Sequence, residues 1–477
     1  MKKKSIGKNA LLNIIRQSSS MFFSLLLMPY VTRVLGSENY GRYNYCASIV
    51  SYFSLISALG IGAYAIRELS ALRTDNNKLN KLGSELFTLN IYTTLIAYFL
   101  LFITILIWNP NYEYKYLTIV ISCEIVFQTI SRDWIYNVFE DFFYITFRTV
   151  LFQLLRLVAV LIFVKQKEDL WKYAIISCLC SATVGFISFI HSSKYIKIQY
   201  EKVNLKKHIP PIIVIFSSSL VASIYMNSDL TMLGIMQGDD AVGIYKVATQ
   251  VYGIIKAMLN AMVVVMIPRM AYYANNNNDQ ELKMIVEKAL RFLALLLFPT
   301  LFGLFMVSKE VVYIIAGEEY ISAVEPLRIL SFALMFATVG NILLSGILVS
   351  IHKEKKSLLI TTFSAMTNVV LNLFMIPLAS YVGTAYTTLL SEFIVAMLGV
   401  YNCRQYLSFK KVKRDIIIAL TESLIVIIVC NFIQSFQLGI IINLLLKIII
   451  SVFLYVLLLV CLYKDDIIIL FKNNDKN

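Results

Sequence analysis

The sequence predicts an all-α integral membrane protein with about fourteen transmembrane helices, arranged as two six-helix lobes and a C-terminal helix pair. Three observations predict this fold class. The chain of 477 residues is 58% hydrophobic and only 15% charged, with a mean hydropathy of +0.73. Apolar stretches long enough to cross a bilayer recur along its whole length, and one motif recurs in both halves. This composition excludes a soluble globular protein.

The apolar stretches are counted by the helix length that a bilayer requires. A hydrocarbon core of roughly 30 Å is crossed by about 20 apolar residues in a helix. The predicted spans begin near Ala10, Tyr43, Leu82, Tyr116, Phe142, Trp171, Pro211, Val242, Ile285, Val324, Ser357, Tyr381, Asp415 and Gly439. The seven cysteines lie mostly within these spans and lack metal-site spacing, so no metal or other cofactor is expected.

Positive charges are distributed unequally between alternate loops. With the N-terminus in the cytoplasm, the cytoplasmic loops are rich in lysine and arginine, as in residues 194–207 and 404–414. The opposite loops hold few such residues, and residues 238–240 are acidic. The positive-inside rule therefore predicts that both termini are cytoplasmic. The net charge of +14 mostly reflects this topology, so nucleic acid is not an expected partner.

An internal repeat divides the chain. A Gly-x-Tyr motif lies at the start of the second span, from Gly41, and at the start of the eighth span, from Gly243, and residue 243 minus residue 41 gives an offset of 202. The same offset relates Arg67 to Arg269. Six crossings per copy give both copies one orientation, related by an axis along the membrane normal, with a site expected between the halves. A larger bundle without transport is the alternative. The predicted domains are an N-terminal lobe of residues 1–208, a second lobe of residues 209–409, and a helix pair with a short tail in residues 410–477.

Polar side chains recur at helical spacing within several spans. A helix that is polar along one face needs polar or hydrated neighbours there, so these stripes predict a hydrophilic cavity. The candidate cavity residues are Asn13, Gln17, Gln128, Gln250, Asn260, Asn368 and Asn372.

Ionisable groups also lie inside the predicted spans. Each costs several kcal/mol at bilayer depth unless it is paired or hydrated, so it is a functional candidate. The candidate substrate-binding cations are Arg16, Arg148, Arg156, Lys246 and Lys256. The carboxylates are Glu124, Asp229 and Glu392, each a candidate site for a coupling proton or sodium ion or a partner in a structural salt bridge. Arg132, Asp133, Arg269 and Glu422, close to cytoplasmic ends, are expected to snorkel or to pair locally. The excess of deep cations favours an anionic passenger such as a phosphate or pyrophosphate.

Several catalytic motifs are absent from the sequence. It has no Gly-x-x-x-x-Gly-Lys-Ser/Thr phosphate loop, so an ion gradient is the expected energy source. It also lacks His-Glu-x-x-His and Gly-x-Ser-x-Gly, and its outer loops are too short for a catalytic domain. An enzyme is therefore not expected, although a membrane polysaccharide polymerase or glycosyltransferase stays an alternative.

Several motifs together resemble one family, the Wzx-type polysaccharide flippases of the multidrug/oligosaccharidyl-lipid/polysaccharide exporter superfamily, which handle O-antigen or capsular repeat units. The motifs are Asn9-Ala10-Leu11, residues 29–36, Tyr40-Gly41-Arg42-Tyr43, Leu59-Gly60-Ile61, Arg67-Glu68, residues 229–234 and Val242-Gly243-Ile244-Tyr245. The resemblance implies a MATE-like fold.

The resemblance also implies a function. It implies translocation of an undecaprenyl-pyrophosphate-linked oligosaccharide across a bacterial cytoplasmic membrane, by alternating access and through a cationic cavity. Polysaccharide polymerase and chain-length proteins are the expected protein partners. A multidrug or toxin exporter of the same superfamily is the rival, and it would favour cationic drugs and an acidic cavity.

Overall fold

The structure, a computed structural model, describes residues 6–108, 111–199, 204–408, 410–436 and 438–462. Within these ranges the chain forms helices joined by short turns and contains no β-strand. Eleven of the described helical segments are long and apolar enough to cross a membrane. The predicted class, an all-α multi-pass membrane protein, is confirmed.

The chain divides into two compact units, the first ending at Lys246 and the second beginning at Val247. The first unit contains α1 (Ile6–Ala58), α2 (Ile61–Ser70), α3 (Asn76–Trp108), α4 (Tyr112–Ser131), α5 (Asp133–Val138), α6 (Phe142–Phe163), α7 (Leu170–Ser192), α8 (Leu205–Gln237) and the start of α9 (Asp239–Val264). This division falls inside α9, whereas the predicted division after residue 208 falls inside α8. The predicted domain boundaries therefore stay predictions.

The second unit contains the rest of α9 and the helices that follow it. These are α10 (Ile267–Asn275), α11 (Asp279–Ala316), α12 (Val324–Asn341), α13 (Glu354–Cys403), α14 (Lys410–Gln434) and α15 (Ile440–Leu462). A π-helical turn, Ile342–Leu348, extends α12. Helices α14 and α15 pack against α11, so the predicted C-terminal helix pair is attached to this unit.

Two helices contain a bend that interrupts their regular geometry. In α1, which has 53 residues, Gly36 has φ 74° and ψ 173°, a conformation that glycine tolerates at little steric cost. In α13, which has 50 residues, Ala379 and Ser380 are non-helical. At about 1.5 Å per residue, each helix is long enough for two crossings of a bilayer. The predicted count of about fourteen crossings is compatible with these lengths and stays a prediction.

The two copies of the Gly-x-Tyr motif meet where α1 crosses α9. A Cβ atom on Gly41 would lie 1.8 Å from the backbone oxygen of Asp239, and one on Gly243 would lie 2.1 Å from that of Ser37. The offset of 202 that relates Gly41 to Gly243 also relates Ser37 to Asp239. Exchange of the two motif copies therefore turns the Gly41–Asp239 contact into the Gly243–Ser37 contact. A two-fold relation between the two motif copies produces such a contact.

Charged and polar side chains form hydrogen bonds beside the crossing of α1 and α9. The Arg42 Nε donates to Asp239 Oδ2 at 2.9 Å, and its Nη2 donates to Glu38 Oε1 at 2.9 Å. The hydroxyl group of Tyr114 donates to the same Asp239 oxygen at 2.6 Å. The buried Asp239 carboxylate is therefore satisfied, and α1, α4 and α9 are held together by charge-assisted hydrogen bonds.

The close approach of α1 and α9 predicts that neither glycine tolerates a larger side chain. We expect Gly41→Ala and Gly243→Ala each to lower the free energy of unfolding by about 3 kcal/mol, because the new methyl group overlaps backbone atoms that cannot yield cheaply. The apparent melting temperature of the purified protein in detergent measures this loss. Gly253→Ala on the same α9 is the matched control, since a Cβ there meets no atom within 4 Å. Unchanged melting of the Gly41 and Gly243 variants would refute the contact.

Candidate functional site

The candidate site is built around Arg156 on α6, which packs between α1 and α7. The Arg156 Nη2 donates to the Tyr173 hydroxyl oxygen at 3.3 Å, and the guanidinium carbon lies 5.6 Å from the centroid of the Tyr173 ring. The Nε is buried and has no hydrogen-bond partner. Among the described residues, no carboxylate lies within ion-pair distance of Arg156. The guanidinium therefore has donor capacity left for a ligand.

Two cavities meet at Arg156. The Tyr40 cavity has a volume of about 130 Å³ and is lined by Ser20, Phe23, Ser24, Leu27, Met28, Val31, Tyr40, Gln153, Arg156, Leu157 and Tyr173. The Glu124 cavity, of about 240 Å³, is lined by residues of α4, α5, α6 and α7 that include Glu124 and Gln128. Both Gln153 and Arg156 line the two cavities. One turn of α6 thus presents polar groups to both spaces.

A third space, the Trp134 cavity, continues the series within the first unit. Its volume is about 360 Å³, and Gln128, Ser131 and Asp133 line both it and the Glu124 cavity. The three cavities therefore share polar walls from Tyr40 to Trp134. Spaces between helices with polar groups along part of their walls are where a membrane protein accommodates polar groups at depth.

Gln153 and Glu124 complete the polar lining. The Gln153 Nε2 donates to the Ser20 hydroxyl oxygen at 2.7 Å, while its Oε1 is buried without a partner. The Glu124 Oε1 accepts a hydrogen bond of 3.2 Å from Gln128. In the described part of the chain, no cation lies within 4.0 Å of the Glu124 carboxylate. Glu124 is thus an open acid in the same cavity as Arg156, not a member of a structural salt bridge.

Arg148, a predicted substrate-binding cation, forms a two-pronged ion pair. Its Nη1 and Nη2 donate to the two carboxylate oxygens of Asp133, each at 2.9 Å, and Nη1 also donates to the Ser188 hydroxyl. The side chain is buried. These bonds hold α6 to α5 and α7, and Asp133 pairs locally as expected.

Lys256, another predicted cation, is paired in the second unit. Its Nζ donates to Glu392 Oε1 at 2.6 Å, and the Tyr252 hydroxyl donates to the same oxygen at 3.2 Å. Glu392 is buried, while about a quarter of the lysine side chain, 27%, is exposed. Of the two alternatives for Glu392, the structure contains the salt bridge.

The remaining charged candidates lie on α1, α8 and α9. The Arg16 Nη2 donates to Asn13 Oδ1 on its own helix at 2.9 Å, and Gln17 beside them is exposed. Asp229 is buried and accepts a hydrogen bond of 2.9 Å from the Tyr245 hydroxyl. Lys246 and Gln250 are half-buried on one face of α9.

The polar candidates of the second unit take part in helix packing. Asn341 donates to Asn260 Oδ1 at 3.1 Å, which ties α12 to α9. Asn372 donates to Asn368 at 3.3 Å and accepts a hydrogen bond from the Thr387 hydroxyl. The structure thus places Asn368 and Asn372, both almost fully buried, in a contact between the two parts of α13.

Sequence reasoning missed two features of the first unit. Tyr40 and Tyr173 were not singled out among the many aromatics, although both line the space beside Arg156. Arg132 is expected to snorkel or to pair locally, and the structure places it, buried, between Phe87 and Phe189, 5.0 and 4.1 Å from their ring centroids. Its Nη2 donates to the Phe189 backbone oxygen at 2.7 Å. Cation–π contacts replace the water that snorkelling would supply.

Known proteins resemble the chain both in sequence and in fold. The family model described as "Polysaccharide biosynthesis protein" matches residues 6–274, and the MatE model matches residues 213–374. A "Putative O-antigen transporter" of Escherichia coli (strain K12) is 22% identical over 402 residues, which are 83% of this chain and 96% of that protein.

Two solved structures share the fold. The lipid II flippase MurJ in an inward closed conformation superposes with a TM-score of 0.79 at 16% identity, over 96% of this chain and all of that one. An inward-facing multidrug resistance MATE family transporter of the MOP superfamily gives a TM-score of 0.62 at 14% identity, over 84% of this chain and 99% of that one. The MATE-like fold and the family resemblance predicted from the sequence motifs are confirmed. The family model described as "Polysaccharide biosynthesis protein" matches more than half of the sequence, so the chain belongs to that family.

Proposed function

We propose that the chain is a flippase of the bacterial cytoplasmic membrane. It moves undecaprenyl-pyrophosphate-linked oligosaccharide repeat units from the cytoplasmic to the outer leaflet for surface polysaccharide synthesis, with both termini in the cytoplasm. The observation that carries this proposal is the Arg156 guanidinium, which lies where two polar cavities meet and lacks a carboxylate partner among the described residues.

The chemistry of the site suits the head group of such a lipid. A guanidinium group binds phosphate oxygens through parallel N–H donors, and the unpartnered Nε of Arg156 is one such donor. Hydroxyl and amide groups of Ser20, Ser24 and Gln153 surround it and can exchange hydrogen bonds with sugar hydroxyls. The apolar lipid tail needs no polar cavity and stays in the bilayer. A cationic drug would meet an unneutralised arginine here, which disfavours the multidrug rival.

The relatives support transport of a glycan-bearing lipid. One is named as an O-antigen transporter and a structural neighbour as a lipid II flippase, and both names concern membrane passage of glycans or lipid-linked precursors. Alternating access driven by an ion gradient is the mechanism that we propose. Glu124, which lines the same cavity as Arg156, is the better placed of the predicted acids to bind a proton or sodium ion, because Glu392 is paired with Lys256 and Asp229 lines neither cavity at Arg156.

Arg16 has a secondary place in this proposal. It lies on the same helix as Ser20 and Ser24, which line the Tyr40 cavity, and the described hydrogen bonds of its guanidinium group go to Asn13. We propose that it attracts the anionic head group toward Arg156. Arg148 and Lys256, which are held by Asp133 and Glu392, have structural roles in this scheme.

Replacement of Arg156 tests the proposed anion site. We expect Arg156→Ala to lower surface polysaccharide at least about tenfold, since a charge-assisted hydrogen bond is worth roughly 1.5–3 kcal/mol. Arg156→Lys keeps the charge but loses the fork, so an intermediate loss is expected. The measurement is polymer at the cell surface, together with lipid-linked oligosaccharide retained inside, in cells whose only copy is the variant. Arg67→Ala is the control, because the Arg67 side chain is 60% exposed and lines neither cavity at Arg156. Full polymer levels in the alanine variant, at normal membrane abundance, would rule out the site.

The Lys256–Glu392 pair predicts a stability effect that can be reversed. We expect Lys256→Met to lower the free energy of unfolding by about 3 kcal/mol, because it leaves the buried Glu392 carboxylate without its cation. Lys256→Met combined with Glu392→Gln should recover most of that loss, since no unpaired charge remains. Melting of the purified variants in detergent measures both. If the single variant melts like the unaltered protein, the pair does not have the structural role assigned to it.

A further inference from the structure

The C-terminal helix pair is joined to α11 through polar contacts at two levels. At one level, Arg291 on α11 forms an ion pair with Asp415 on α14. At the other, Lys447 on α15 donates to Glu310 on α11 and to Gln434 on α14. Positions 291 and 310 are as far apart in sequence as positions 415 and 434, so α11 and α14 run parallel. Each of these buried carboxylates has a cation.

Glu422 lies between the two levels and differs from both. The residue is 3% exposed, and both of its carboxylate oxygens are buried without a hydrogen-bond partner. An isolated ionised carboxylate costs far more in an apolar surrounding than a neutral carboxylic acid does. In a helix that is apolar enough to cross a membrane, water does not compensate for this cost. The fold is therefore compatible with Glu422 in its protonated form.

Tyr455 on α15 is the polar neighbour of Glu422, and its own hydrogen is already in use. Its hydroxyl group donates to the Leu295 backbone oxygen on α11. That oxygen is available because Pro299, four residues further along α11, has no N–H with which to complete the helical hydrogen bond. The Tyr455 oxygen can then only accept a hydrogen bond. A protonated Glu422 can donate one to it, whereas an ionised Glu422 cannot.

The charges on the packed helices do not reach Glu422. Asp415 and its partner Arg291 lie about 10 Å away along the α14 axis, and the Lys447 and Glu310 pair lies about 18 Å away in the other direction. Each of these four groups is neutralised by its own partner. Among the described groups of α11, α14 and α15, no cation lies within ion-pair distance of the Glu422 carboxylate.

We propose that Glu422 is a reversible proton-binding site at the junction of α11, α14 and α15. The protonated acid fits the buried position of Glu422 between these helices. Loss of the proton leaves a charge that must reach water or Arg291, which requires α14 to shift on α11. Proton occupancy thus biases the position of the C-terminal helix pair. The inference concerns the proton alone and does not depend on which passenger the protein carries.

Infrared difference spectroscopy on the whole protein in lipid nanodiscs tests the proposal. Spectra of the unaltered protein minus Glu422→Gln should contain the C=O stretch of one protonated carboxyl group per chain at neutral pH. This band should disappear reversibly under alkaline conditions while the melting temperature confirms that the protein stays folded. Glu68→Gln is the control, because Glu68 is exposed beside Arg67 and should contribute no such band at neutral pH. Glu422→Met provides a second reference that also lacks a carboxyl group.

Two results would overturn the proposal. Absence of the band at neutral pH would mean that Glu422 is ionised in the fold. A band of the same amplitude at every pH at which the protein is folded would mean a permanently neutral structural acid. Since the readout needs no substrate, either result leaves the flippase proposal intact, and loss of transport in Arg156→Ala leaves the proton site intact.

Discussion

The cost of an unpaired charge within apolar helices is the constraint on which the rest of this structure depends. Arg148 and Asp133 meet it by forming a two-pronged ion pair, and Lys256 meets it through Glu392. The Lys256–Glu392 pair joins helices that are distant in sequence, so the same bond that satisfies its charges also makes those helices neighbours. Arg156 meets the constraint differently, because cavities on two sides of it provide room for water or a ligand.

Arg156 and Glu422 are two deep residues that form no ion pair with any described residue, and their surroundings differ. Arg156 remains charged in a polar space, so its unused donor points to binding of an anion. Glu422 lies in a dry helix contact where a charge has no compensation, so it points to binding of a proton. We propose that the first is a recognition site and the second a titration site, although both are deep ionisable residues. Only the neighbouring groups distinguish them.

The fold class was accessible from sequence because its signals are local. Helix length, hydropathy and the Gly41 and Gly243 motifs can each be recognised within a short window, and the contact between those two glycines follows the predicted repeat. The roles of polar residues were not accessible in the same way. A stripe such as that of Asn368 and Asn372 has the same spacing whether it lines a cavity or packs against another helix, and here it packs. The partner Thr387 determines the outcome, and helical periodicity does not reveal it.

The ion pairs of Arg148 and Lys256 alter the evidence for an anionic passenger. From sequence it depended on an excess of deep cations over deep acids, and such a count treats every charge as available. Arg148 and Lys256 are neutralised by carboxylates, one of which, Asp133, was expected only to snorkel or pair locally. The number of deep cations therefore no longer supports an anionic passenger. The location of Arg156 now supports an anionic passenger, because Arg156 alone among the predicted cations lines two of the described cavities. A single guanidinium without an ion-pair partner in such a space selects against cations more directly than an excess of cations spread over the chain.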